Sequence, residues 1–229
     1  STSVAKIKNY RANDYKAIAD FTTSGDGAAF KIKFAQRAEI NDSYFGHPYG
    51  ASGASEATWL INTSSWIYFN GTTFDGAAGR NIVVTGNMGP IYWDRCTFVP
   101  KYNAGGYGGD SGFITLFHGN SPPTNLVISS GAVQVTNSLF RNEYGNWGTY
   151  IKSNNSRYIL RPLFDGNTVD STMFPASTDV FLNLGNRTSE AIITNNRTTG
   201  IATFLTDGGL NTRNASNNFK DGAAQGTAQ

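Results

Sequence analysis

An eight-residue segment recurs along this chain: two alternating apolar positions, a polar turn, then a Phe. It narrows the possible folds more than any other feature of the sequence. Segments 38–45, 67–74, 91–98, 133–140 and 157–164 carry it, and 191–198 and 212–219 are weaker copies. Their last positions, 45, 74, 98, 140, 164, 198 and 219, lie 29, 24, 42, 24, 34 and 21 residues apart. A further short apolar run precedes most copies, as in Phe30-Lys31-Ile32, Trp59-Leu60-Ile61, Ile82-Val83-Val84 and Val180-Phe181-Leu182. Each unit therefore reads strand, polar turn, strand, tight turn, Phe, loop. One unit cannot bury its own apolar face. Stacked units pair their strands in parallel, about 4.8 Å apart, and bury a continuous column.

Alternation along a strand assigns the faces. Seven and five residues before the Phe the side chains are mostly apolar (Ile67 and Phe69, Ile91 and Trp93, Val133 and Val135) and are predicted to point inward. The turn before the Phe favours Asn, Gly or Ser because the backbone must bend sharply, often with positive φ. Cys96, two residues before its Phe, reads as a small reduced core residue. The interior is predicted to stack Phe45, Phe74, Phe98, Phe140, Phe164 and Phe219 in one column. The organisation expected is a cap or connecting segment at 1–28, a parallel coil over 29–222 and a tail at 223–229. That Gly- and Ala-rich tail reads as too small to close the coil, which predicts association of copies or further sequence.

Composition removes other function classes. Only 15% of the 229 residues are charged and the net charge is +2 without a basic block, so no nucleic-acid footprint is present. No apolar run reaches the roughly 20 residues of a spanning helix, so no membrane insertion is expected. One cysteine and two histidines (His47, His118) give neither a disulfide framework nor a zinc set, and no metal or cofactor is expected.

Segments such as 39–46 and 192–196 resemble rungs of right-handed parallel β-helices of the pectate-lyase type. The set as a whole, across roughly 29–222, is most similar to the β-helical body of phage tailspike and tail-fibre proteins. That resemblance implies an all-β, right-handed solenoid of about seven coils with inserted loops. It also implies a receptor-binding module on a virion tail or extracellular surface, a cell-surface polysaccharide as partner, and a homo-oligomer, by family analogy a trimer. Endoglycosidase cleavage of the glycan is the enzymatic extension, with hydrolysis favoured over lyase chemistry because no dense acidic cluster for Ca²⁺ is present. The alternative is a non-catalytic structural shaft or adhesin segment that makes protein contacts.

The residues six before each Phe form an outward column, Glu39, Tyr68, Tyr92, Gln134 and Tyr158 among them. Tyrosine faces stack on sugar rings and the polar members bond hydroxyls, so these are the predicted carbohydrate-binding residues. Equally, tyrosines suit strands and stack on one another for stability. Insertions at 46–58, 99–112, 141–148 and 165–179 are expected to rise beside this face, and they bring Tyr102, Tyr107 and Trp147 as further contacts. Glycoside hydrolysis needs two carboxyl groups about 5–9.5 Å apart. Asp94 in the strand, with Asp110 or Glu143 from a loop, are the candidates.

Overall fold

The computed structural model describes residues 4–8, 11–12, 30–33, 37–46, 57–62, 66–75, 80–85, 90–99, 113–116, 127–128, 133–143, 148–153, 158–173, 179–209, 212–214 and 217–225. Among them the chain is all-β, without a helix. Its strands build three long sheets and one short one, and they are dealt out in rotation. Sheet 1 runs from Val4–Lys8 through Arg37–Asn41, Trp66–Asn70, Ile91–Asp94, Val133–Thr136, Leu163–Asp165 and Ile192–Thr194 to Arg213–Asn214. Sheet 2 takes the strand that follows each of these, from Arg11–Ala12 to Phe219–Lys220, and ends with Ala223–Ala224. Sheet 3 takes the longer strands between, from Phe30–Lys33 to Thr203–Asp207, and Val127–Ile128, Tyr158–Leu160 and Thr188–Ser189 form sheet 4. Every pairing is parallel except the last of sheet 2. Parallel strands buried on one face, each matched to its counterpart one repeat later, are compatible with a β-helix or solenoid-like fold.

The interior of sheet 2 explains the recurring Phe. Phe45, Phe74, Phe98 and Phe140 occupy one register column, with ring centroids 5.7, 5.4 and 4.6 Å apart and interplanar angles of 17°, 5° and 19°. Beside it sheet 1 stacks Phe69 on Trp93 at 5.9 Å. Phe113, Tyr150, Phe181 and Phe204 close the core from the sheet 3 side, all buried.

Two members of the predicted Phe column lie elsewhere. Phe164 is fully buried, but it pairs with Val135 and Ile193 in sheet 1, and Val169 holds the place next to Phe140. Phe219 pairs with Arg197 on the outward side of sheet 2, half-buried, with the Arg197 guanidinium 5.7 Å from its ring centroid. The corrected register Glu39, Tyr68, Tyr92, Gln134, Leu163, Ile192, Arg213 has intervals of 29, 24, 42, 29, 29 and 21 residues. The segment 165–179 is consequently not one insertion, since Thr168–Asp170 within it is a sheet 2 strand.

The corner between sheets 1 and 2 follows one pattern in the repeats where it is described. Its first residue takes positive φ: Asp42 49°, Gly71 60°, Arg95 52°, Asn137 50°, Gly166 66°, Asn195 55° and Asn217 72°. Asp, Asn and Gly tolerate this region best. At Gly71 a Cβ would also fall 2.7 Å from Asp42 Oδ1, so the two needs coincide there. The next residue turns inward and is small or an amide: Ser43, Thr72, Cys96, Ser138, Asn167, Asn196, Asn218, all buried. The three asparagines form a ladder. Asn167 Nδ2 donates to Asn196 Oδ1 and Asn196 Nδ2 to Asn218 Oδ1, each at 3.0 Å. Burial pushes the Cys96 thiol up to about 12, consistent with an inert core position.

Parallel pairing also extends beyond the expected boundaries. Val4–Lys8 pairs with Arg37–Asn41 and Arg11–Ala12 with Tyr44–Gly46, so strands within 1–28 join sheets 1 and 2. At the other end Ala223–Ala224 folds back on Phe219–Lys220, so part of the 223–229 tail covers a strand edge that the sequence reading left open.

Candidate carbohydrate-binding face

Strand alternation sends every second side chain of sheet 1 out of the core, and consecutive rungs bring those side chains into three outward columns. From the Arg37–Asn41 rung onward, Arg37, Trp66 and Pro90 stand in the first, Glu39, Tyr68, Tyr92 and Gln134 in the second, and Asn41, Asn70, Asp94 and Thr136 in the third. Glu39, Tyr68, Tyr92 and Gln134 are thus brought together as the sequence predicted. Tyr158 is not among them. Its strand pairs with Val127–Ile128 in sheet 4, and Leu163 follows Gln134 in the column.

The aromatic part of the face is compact. The Tyr68 and Tyr92 ring centroids are 4.9 Å apart at 64°, an edge contact, and Trp66 lies 6.4 Å from Tyr68 at 24°. Trp66 is 47% exposed, which is unusual for a Trp in a strand and leaves its face available to a ligand. Arg37 ties this cluster together: its Nη2 is 2.6 Å from Glu39 Oε1, and its guanidinium lies 5.6 Å from the Tyr68 centroid. Partial burial, and then the neighbouring Tyr68, hold the Tyr92 phenol above its ordinary range, so it stays a neutral donor and acceptor. Sequence reading missed Trp66 and Arg37. Their signal was present, because inward Ile67 and Ala38 oblige the residues before them to face outward.

Beside the aromatics runs a polar network that crosses rungs. Asp94 Oδ1 accepts from Thr136 Oγ1 at 2.8 Å and Asn137 Nδ2 at 3.0 Å, both one rung later. Asp94 Oδ2 accepts from Arg95 Nε at 3.2 Å, and Arg95 Nη2 reaches back to Asn70 Oδ1 at 2.8 Å. Partial burial alone would raise the Asp94 carboxyl. The hydrogen bonds from Asn137 and Thr136, with the Arg95 charge, outweigh it and hold the group below the usual carboxylate range. Such a group stays ionised and keeps its lone pairs occupied, which is the opposite of what a general acid requires. Its contribution to stability is complete above the unfolded-state value and is lost as pH falls through the lower folded value. We expect carboxylate NMR to place the Asp94 midpoint below the ordinary aspartate value of 3.8 in the native protein, and to move it upward in Asn137→Ala.

The other catalytic candidates do not join Asp94 in a described geometry. Glu143 lies past the sheet 2 strand Leu139–Arg141 and pairs with Arg141 Nε at 2.5 Å, with the corner and the whole of that strand between it and the Asp94 column. Asp110, Tyr102, Tyr107 and Trp147 lie outside the described residues. Among the described residues no group of three or more His, Cys, Asp or Glu is placed to hold a metal ion, and no helix is long and apolar enough to cross a membrane. Chemically this face can bind: it offers aromatic surface and prearranged donors and acceptors. Comparison with protein-family models, with curated proteins and with solved structures gives no match to this chain.

Proposed function

We propose that this chain is a glycan-recognition module of the tailspike kind that binds a cell-surface polysaccharide across the outer face of sheet 1. In this reading the strands coil into a right-handed parallel β-helix of about seven turns, since a strand connected through a crossover to a parallel neighbour is right-handed in about 98% of cases. The module would act on a virion tail or another extracellular surface, as a homo-oligomer for which a trimer is the first expectation. The observation that carries the reading is the exposed Trp66 beside Tyr68 and Tyr92, bordered by the fixed Asn70–Arg95–Asp94 row. Aromatic faces contact the apolar side of a pyranose, while ordered amide, guanidinium and carboxylate groups bond its hydroxyls. Holding these groups on strands lowers the ordering cost of binding.

Recognition is better supported than cleavage, because Asp94 is engaged by three donors. The second reading, a structural shaft or adhesin segment making protein contacts, gains from Leu163 and Ile192. These half-buried aliphatics continue the same column beyond Gln134 and offer a sugar no hydrogen bond.

A glycan array followed by titration of the best ligand tests the proposal. Tyr68→Ala with Tyr92→Ala is expected to weaken binding by about 1–3 kcal/mol, roughly 5- to 150-fold. A reducing-end assay on the bound polysaccharide is expected to show no turnover. Unchanged affinity in the folded double variant would remove this face from consideration, and binding only to protein ligands would favour the shaft.

A further inference from the structure

Sheet 2 ends differently from the way it is built. At each described corner from Ser43 to Asn196 the carbonyl of the inward-turning residue accepts the N–H that begins the next sheet 2 strand. Ser43 O takes Thr73 N at 2.8 Å, Thr72 O takes Thr97 N at 3.0 Å, and Cys96 O takes Leu139 N at 2.9 Å. The series continues through Ser138, Asn167 and Asn196, whose carbonyls accept from Thr168, Arg197 and Phe219 at 2.8 Å each. A further rung would supply an N–H to Asn218 O. Instead Gln225 N donates to it at 2.7 Å, because the chain has reversed. The reversal is an Asp221-Gly222 turn with φ of 49° and 81°, the two positive values of a tight hairpin turn, and it lays Ala223–Ala224 antiparallel on Phe219–Lys220. Asp221 Oδ1 anchors the turn by accepting Gly200 N at 2.8 Å.

We infer that this hairpin is an end stop, which keeps a second copy of this chain from pairing with the edge it covers. An unpaired parallel edge is a template for another strand. The opposite edge of sheet 2 is a parallel strand of the same kind, Arg11–Ala12, which is the first of that sheet among the described residues. Joining one copy's last edge to another's first is a head-to-tail contact, and where each contact only continues the stacking of rungs along one direction its repetition gives an open chain rather than a closed ring. The hairpin prevents this twice over. It supplies the N–H that a partner strand would bring to Asn218 O, and its antiparallel direction breaks the register that eight preceding strands share. Because the strands of one rung are consecutive in sequence, blocking sheet 2 also keeps a second copy from seating on Arg213–Asn214 and Thr203–Asp207, the last strands of sheets 1 and 3.

The test uses the full chain with Gly222→Val and Gln225→Pro together. The first places a β-branched residue at a φ of 81°, and the second removes the donating N–H. Gln225→Ala keeps that N–H and serves as the control. Sedimentation across a concentration series is expected to show the double variant growing to at least about twofold the mass of the intact chain, without a plateau, while Gln225→Ala behaves as the intact chain does. A double variant with a native circular dichroism spectrum and an unchanged mass at all concentrations would overturn the inference, as would equal growth of the control. If the double variant fails to fold, Gln225→Pro alone gives the same readout, and a folded single variant of unchanged mass is equally decisive.

Discussion

Replacing Phe98 with Ala is expected to destabilise the fold by about 3–5 kcal/mol, the range for a large aromatic removed from a packed interior. Phe98 has no exposed surface and is stacked between Phe74 at 5.4 Å and Phe140 at 4.6 Å, with Phe113 edge-on at 5.8 Å. Truncation opens a gap in the middle of a column whose neighbours are held at a spacing set by backbone hydrogen bonds, so the column cannot collapse to fill it. Two companions make this a test of register. Phe164→Ala should cost a similar amount, because the ring is fully buried in the sheet 1 interior. Phe219→Ala should cost only about 1 kcal/mol, because that side chain faces outward and loses mainly its contact with Arg197. Urea denaturation followed by tryptophan fluorescence measures all three. A loss at Phe219 equal to that at Phe98 would mean that both rings share the core, contrary to the pairing found here.

The parallel stacking was legible because its cause is local. Alternation of Ile67 with Phe69 and of Ile91 with Trp93, followed by a turn residue and a Phe, is a pattern that each copy carries in full. The register was less legible because two different corners look alike. Tyr158-Ile159-Leu160-Arg161 alternates and then turns with Arg161 at a φ of 51°, just as Gln134 to Asn137 does with Asn137 at 50°. The first turn leads from sheet 4 into sheet 1 and the second from sheet 1 into sheet 2. Nothing within eight residues distinguishes them, and the identity of the partner strand does. The same ambiguity placed Tyr158 on the outward face beside Tyr92. At 219 the cause is simpler: one extra residue after Asn214 returns Asn218 to the ladder and leaves Phe219 on the outside. Site residues Glu39, Tyr68, Tyr92 and Gln134 were legible from alternation alone. The state of Asp94 was not, since three of its partners, Thr136, Asn137 and Asn70 through Arg95, come from other rungs.

The asparagine ladder gives the second large effect. Asn196 has no exposed surface, and its Oδ1 accepts both Asn167 N and Asn167 Nδ2 at 3.0 Å. Its Nδ2 donates to Phe164 O at 2.8 Å and to Asn218 Oδ1 at 3.0 Å. Asn196→Ala would leave the Asn167 backbone N–H without that acceptor inside the core, would remove one of the two bonds that Asn167 Nδ2 donates, and would open a small void. A buried donor left unsatisfied costs about 1–3 kcal/mol, so a total loss of about 2–4 kcal/mol is expected. Asn196→Asp separates hydrogen bonding from packing because it keeps the volume. At neutral pH it sets a carboxylate oxygen against Phe164 O and Asn218 Oδ1, both acceptors, in a site without a cation among its hydrogen-bond partners. Its loss should therefore exceed that of the Ala variant. The new carboxyl has its pKa raised by folding, so the native state binds a proton that the unfolded chain at the same pH does not. Stability relative to the intact chain should then recover as pH falls toward the unfolded carboxyl value of about 3.9, where the protonated group can donate to Phe164 O. Chemical denaturation at neutral and acidic pH reads this directly. A deficit in Asn196→Asp that stays constant or grows on acidification would mean that the amide's role is packing rather than donation.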